Sequence, residues 1–383
     1  MRKLRLFVLA VLALGATLGV VACGGDDGGL ESGASDEETQ TAAAEPIGGD
    51  WTISNWPLYI DKQTVSDFDK EVGATTKYIE DINDNFEFFG KLQPQLKNGE
   101  SGGRSMFVVT DYMVKIMHDL GYLQNVDKSA LPNVEENLLP SLESPDFDPN
   151  RDFSVPWQSG FTGIIINTDL APEIDSIEDL FDPKYKGKVT FLGDMYDDVT
   201  LVLKMDGVDP ANATEEEWMK AIDQIDEAAN SGQIRDFTGN AYAGPLVKGD
   251  LVAVVGWSGD AIQLQADNPD LEWVMPEEGC LLWWDDWVIP VGAPNPTAAY
   301  EWINYTYQPE NQAQIVEWTS AITPVEGVKE ILEKTNPEAA RSELIFPSAE
   351  YTKNCSTVVS PPGDAEAQQE VEQAWSDVLA GSG

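Results

Sequence analysis

The sequence predicts an α/β protein built as two lobes with a ligand cleft between them, and three observations carry that prediction. The chain has 383 residues, more than one ordinary hydrophobic core holds. Its apolar content of 42%, with 9% aromatics, is ample for packed interiors. Beyond residue 50, short β-rich runs alternate with amphipathic helical stretches, the pattern of βαβ units and largely parallel sheets.

The N-terminus stands apart from that fold. "MRKLR" is basic, "LFVLAVLALGATLGVVA" is an apolar run ending in small residues, and Cys23 follows at once. Residues 1–23 therefore read as an export signal, and "VVAC" resembles the lipobox of bacterial lipoproteins, whose cysteine is lipidated. A plain membrane anchor is the alternative, although the run is only marginally long enough for a span. Residues 24–49, rich in Gly, Ser, Ala and acid, read as a flexible linker. No later stretch is long and apolar enough to cross a bilayer, so any role in transport needs another chain to do the crossing.

The strands expected in chain order are "WTISNW", "TKYIED", "MFVVT", "FTGIIIN", "KVTFLG", "LVAVVGW" and "LEWVMP". Helical signals lie between them. In "ATEEEWMKAIDQIDEAAN", Thr214 and Glu217 form a capping box, and Trp218, Ile222 and Ile225 share one face. Ligands of open α/β sheets sit beyond the carboxyl ends of the strands. At those ends this sequence places Trp56, Thr110, Asp111, Tyr112, Asp194 and Trp257. Each also has a plainer reading: Asp111 or Thr110 could cap a helix, as could Ser258, and Trp56 could simply be packing.

Several functions are disfavoured by what the chain contains. Its 67 acidic residues against 23 basic give a formal charge of −44, a poor surface for nucleic acid or anionic lipid headgroups. The one histidine, His118, lies off the apolar stripe of its helix and reads as a surface residue. No metal, phosphate-loop or dinucleotide motif occurs, and no cofactor is expected. After Cys23 only Cys280 and Cys355 remain; in an exported protein they suggest one disulfide, with two buried thiols as the alternative.

"CLLWWDDWVIP" is the most unusual stretch. Read as a strand, it puts Trp283, Asp285 and Trp287 on one face and Trp284 and Asp286 on the other. An indole next but one to a carboxylate suits an alkylammonium: the ring covers the methylenes and the polarised N–CH2, and the carboxylate accepts the N–H donors.

From Trp51 to about Gly363 the chain resembles the spermidine/putrescine-binding proteins of ABC transporters, which have the two-lobed type II periplasmic-binding fold. The resemblance is carried by "ISNWPLYID", "FVVTDYMV", "LGYLQNVDKSALPN", "FSVPWQSGFTGIIIN", "SIEDLFDPKYKGKVTFLGD", "LVKGDLVAVVGWSGDA" and "MPEEGCLLWWDDWVIP". It implies that Trp56 and Tyr59 are the aromatic pair of the first loop and that Tyr112 is the aromatic after the third strand. Trp257 and Asp260 match a W-x-x-D, Trp283 and Asp285 match the W-x-D that clamps an amine, and Asp198 stands where the family usually has Glu. Pro57 and Met195 depart from the pattern, and the segment after Pro347 has no match.

The resemblance implies a lipid-anchored, extracytoplasmic, monomeric receptor that captures a polyamine and delivers it to an ABC permease, and not an enzyme. It places residues 50–156 and 286–322 in the first lobe, 157–285 and 323–383 in the second, with crossings near Pro156–Trp157, Asp285–Asp286 and Thr323–Pro324. Two alternatives remain at this stage: a receptor of the same fold for a ferric ion, a sugar or an anion, and an enzyme acting on glycans through paired carboxylates.

Overall fold

The computed structural model describes Ile47 and residues 51–381. The expected signal 1–23 with Cys23, and the linker 24–49 apart from Ile47, lie outside the described residues. Among those described, no helix is long and apolar enough to cross a membrane.

Among the described residues, ten strands form one continuous sheet: β1 Thr52–Asn55, β2 Lys77–Glu80, β3 Met106–Thr110, β4 Val155–Asn167, β5 Val189–Phe191, β6 Ile234–Phe237, β7 Ala253–Trp257, β8 Leu271–Val274, β9 Leu281–Val288 and β10 Ser356–Thr357. Their order is β2-β1-β3-β9-β4-β7-β5-β6, with β10 added to β9 and β8 to β4. The flanks are parallel, as in β1 with β2 and β3, and β5 with β6 and β7. The centre is antiparallel: β9 opposes both β3 and β4, and β4 opposes β7 and β8. The expectation of largely parallel sheets is thus corrected for the middle of the molecule. Alternation of strands and helices reveals local units, but a strand's direction depends on where the chain returns from.

Two interiors flank this centre. The first gathers Phe68, Phe107, Trp157, Trp287 and Trp302; the second gathers Ile165, Phe191, Trp218, Tyr242 and Val254. Helix Glu215–Ser231 shows how sequence builds the second: Thr214 and Glu217 close the capping box, and Trp218, Ile222 and Ile225 are buried along one face. The strands β4 and β9 serve both interiors. Val155 and Trp287 belong to the first, Phe161 and Leu281 to the second. Their pairing shifts register between Pro156 and Gln158, a bulge that leaves Trp157 over to pack on Trp287 at 4.6 Å between centroids.

One boundary of the expected division differs from the packing. The resemblance places residues 323–383 in the second lobe, yet Val325, Val328, Leu332, Ala340 and Ile345 lie in the first interior. Helix Val328–Thr335 is amphipathic, and its buried face rests beside helix Pro309–Thr319. Only the later part returns to the second interior, through Val371, Trp375 and Val378 of the helix Ala365–Gly381.

Candidate functional site

A cavity lies between the two interiors, where β1, β3, β5, β7 and β9 end or pass. Nine of the eleven expected ligand-binding residues line it: Trp56, Tyr59, Thr110, Tyr112, Asp194, Trp257, Asp260, Trp283 and Asp285. Its volume is ≈ 60 Å³. A cavity of about 10–15 Å³ already admits a water, so this one is sized for a small, slim ligand.

The first wall comes from the loop after β1 and the end of β3. Thr110 closes β3, and its hydroxyl donates to Asp285 Oδ1 at 2.8 Å. Asn85 begins a helix capped by Asp84; its Nδ2 donates to Thr110 Oγ1 at 2.9 Å and to the Tyr112 hydroxyl at 2.7 Å. Tyr59 donates to Asp285 Oδ2 at 2.9 Å. The opposite wall begins where β5 ends: Asp194 caps helix Met195–Met205 by accepting the Tyr196 N–H at 2.9 Å.

The two walls touch in several places. The Tyr112 hydroxyl donates to Asp194 Oδ2, and the Tyr112 and Tyr196 rings stack at 4.0 Å. Trp56 meets Trp257 edge to face at 5.9 Å. Gln263 Nε2 donates to the Leu58 carbonyl at 3.1 Å. Trp283 lies against β4 where Gly160 has no side chain; a Cβ there would come within 2.8 Å of the indole. Glycine at 160 is thus a matter of close approach.

Four carboxylates, those of Asp194, Asp197, Asp260 and Asp285, line the cavity, and the described lining contains no Lys, Arg or His. Burial is the largest influence on all four and raises each pKa. Asp285 is pushed up to about 7, with Thr110 and Tyr59 pulling the other way and the charges of Asp286 and Asp194 adding to the rise. Asp260 is pushed up to about 6 although the Tyr242 hydroxyl and Asn240 Nδ2 each donate to it at 2.7 Å. Asp197, which accepts from Thr162 Oγ1 at 2.6 Å, is driven well above its ordinary value by burial and by Asp194, and Asp194 itself is raised. The donors around the four are neutral. They fix geometry, but they bring no positive charge to offset desolvation.

The tyrosines move the same way. Burial and then Asp285 raise Tyr59 well above 10, and burial and then Asp194 do the same for Tyr112. Both hydroxyls already donate to those carboxylates, Tyr59 to Asp285 and Tyr112 to Asp194. An anion would face four acids and no base.

Two expected site residues do not line the cavity. Asp198 is buried and accepts the backbone N–H groups of Leu192 and Gly193, at 3.1 and 2.7 Å, so it shapes the turn after β5. Asp111 begins helix Asp111–Asp119 and accepts the Tyr112 N–H at 2.9 Å; burial, then Asp286 and Asp285, push its carboxyl up to about 8. In place of Asp198 the lining has its neighbour Asp197. Asn85, Tyr196, Asn240, Gln263 and Val358 also line the cavity and were not anticipated. The pairing of Cys280 with Cys355 is present as a disulfide. His118 is half-exposed on its helix and stacks on Phe153.

The family model described as "Bacterial extracellular solute-binding protein" matches residues 63–345. The spermidine/putrescine-binding periplasmic protein of Escherichia coli (strain K12) is 28% identical over 302 residues, 78% of this chain and 84% of that protein. The putrescine-binding periplasmic protein PotF of the same organism is 26% identical over 369 residues, 86% of this chain and 91% of the other. Among solved structures, the spermidine/putrescine ABC transporter substrate-binding protein PotD of Streptococcus pneumoniae superposes with a TM-score of 0.67, covering 87% of this chain and 99% of that one at 24% identity. This last likeness bears on the fold alone.

Proposed function

We propose, from the premise that the chain belongs to the bacterial extracellular solute-binding protein family, that it is a receptor for a linear polyamine such as putrescine or spermidine. One observation carries the reading: four buried carboxylates and the indoles of Trp56, Trp257 and Trp283 share one narrow cavity whose described lining supplies no cation. A linear polyamine brings what the lining lacks. Each ammonium offers N–H donors to a carboxylate, and the methylenes between them lie along the indoles. Contact of an ammonium with an indole contributes about 0.5–2 kcal/mol, and a hydrogen bond to a charged group about 1.5–3 kcal/mol. The names of the relatives support this assignment.

The bridging of the two walls supports capture by closure. With β4 and β9 as the shared elements, bending at the bulge beside Trp157 would part the walls and expose the cavity. Delivery to an ABC permease follows from the class of the relatives. Lipidation at Cys23 would hold the receptor at the outer face of the cytoplasmic membrane, within reach of that permease. Cys23→Ser should release the protein from the membrane fraction or leave it unprocessed; a correctly cleaved variant that stays on the membrane would remove the lipid anchor.

The deciding experiment is titration calorimetry of the purified protein with putrescine and spermidine, together with native mass spectrometry for a retained amine. Binding of either amine with a single-site isotherm is expected. Neither heat nor a mass shift at millimolar amine would reject the polyamine reading.

A further inference from the structure

The chain beyond residue 345 lies past the stretch that matches the family model, yet it reaches the cavity. We infer that residues 348–360 form a covalently fastened strap whose Val358 is a specificity-determining wall of the amine site. This rests on the proposed amine-receptor function. Cys355 is bonded to Cys280 at the start of β9. Ser356 and Thr357 then add a parallel strand to β9, opposite Leu281 and Leu282. The strap therefore runs alongside the strand that carries Trp283 and Asp285, and the next residue, Val358, enters the cavity lining.

Other contacts fix the strap where it lies. Gly279 has φ 98°, and a Cβ there would fall 1.9 Å from the Asn354 carbonyl oxygen. Only glycine permits so close an approach. Lys204 Nζ donates to the Asn354 carbonyl at 2.9 Å and to Ser356 Oγ at 3.1 Å. The Tyr351 ring packs edge to face on Phe161 at 5.6 Å. Downstream, Ser360 faces the hydroxyl of Tyr196, the ring stacked on Tyr112 across the cleft. Trp375 Nε1 donates at 3.1 Å to the carbonyl of Gly193, the residue before Asp194. The segment thus touches the cavity directly at Val358 and braces the Gly193–Tyr196 corner from behind.

An apolar side chain in the lining that also holds Trp283 limits the width available to the methylene chain. It does not contribute to charge recognition, which belongs to the carboxylates. Its effect should therefore appear in the choice between slim and bulky amines. Changing one methylene's worth of space in an apolar pocket alters discrimination by about tenfold or more.

The test measures the affinities of the full-length protein for putrescine and for N-methylated or N-ethylated putrescines. Val358→Ala should shift the ratio about tenfold toward the bulkier amines, whereas Val358→Trp should shift it at least as far the other way. Opposite shifts exclude a merely structural role, which would weaken every ligand alike. The double variant Cys280→Ser/Cys355→Ser frees the strap and should relax the discrimination as Val358→Ala does. Wild-type binding with an unchanged ratio in both Val358 variants would reject the strap alone. No amine binding by the wild type would reject the receptor reading and this inference with it.

Discussion

Asp285 and Asp286 are neighbours on β9, both buried, and they meet opposite surroundings. Asp286 turns away from the cavity and pairs with Arg151, Nη1 to Oδ1 at 2.8 Å, and the arginine adopts a left-handed backbone (φ 53°). Asp285 turns into the cavity and meets only the hydroxyls of Tyr59 and Thr110. Burial raises both, Asp286 to about 6 and Asp285 to about 7. A buried charge answered within the chain belongs to the fold. One left with neutral donors in a cavity is poised for a cation from outside.

The largest expected effect separates those two roles. Asp285→Asn keeps shape and removes the charge facing an ammonium, so it should weaken putrescine or spermidine binding by about 2–5 kcal/mol while leaving thermal stability unchanged or higher. Asp286→Asn leaves Arg151 without its counter-charge and should lower stability by about 3 kcal/mol, with far less effect on affinity. Calorimetry and denaturant melts on the two variants decide the matter; equal losses of affinity would break the contrast.

Protons sharpen it further. A carboxylate held near pH 7 by burial must lose its proton to receive an ammonium, so affinity should fall about tenfold for each pH unit below 7 for one such group, and level off above pH 8. Binding heats near pH 7 in buffers of different ionisation enthalpy should reveal proton release. Proton-neutral binding would show that the cavity acids are already ionised.

Trp283→Ala removes the indole beside Asp285 and should cost about 0.5–2 kcal/mol of affinity, less than loss of the charge. An equal loss would move the main contribution from charge to aromatic contact. A separate effect concerns the protein without added amine. The native state keeps protons on acids whose ordinary value is 3.8, so it binds more protons than the unfolded chain in this range. Its stability should fall as pH rises from about 4 to 7 and then flatten. Asp285→Asn should reduce that slope in thermal melts between pH 5 and 8; an unchanged slope would assign it to other groups.

What could be read from the sequence followed from local geometry. The two-residue period of a strand placed Trp283 and Asp285 on one face and Asp286 on the other without knowledge of the neighbours. Thr214, Glu217 and Trp218 likewise announced their helix. Asp197 and Asp198 could not be separated that way, because adjacent helical residues differ by about 100° and the facing depends on where Asp194 starts the first turn. Asn85 and Asn240 come from a helix start and a four-residue 3-10 turn, Gly239–Tyr242, segments that give no periodic signal. β6 was missed because "IRDF" buries only Ile234 among its four residues, and β10, two residues long, offers too little pattern to detect.

The disulfide has a mechanical meaning as well. Cys280 and Cys355 are 75 residues apart, and the ring they close contains helices Pro296–Thr306, Pro309–Thr319 and Val328–Thr335. Under tension applied at the chain's two ends, force bypasses that ring through the sulfur–sulfur bond. The oxidised molecule should therefore unravel to a contour roughly 25 nm shorter than the reduced one, at about 3.4 Å per residue, with those helices carrying no load.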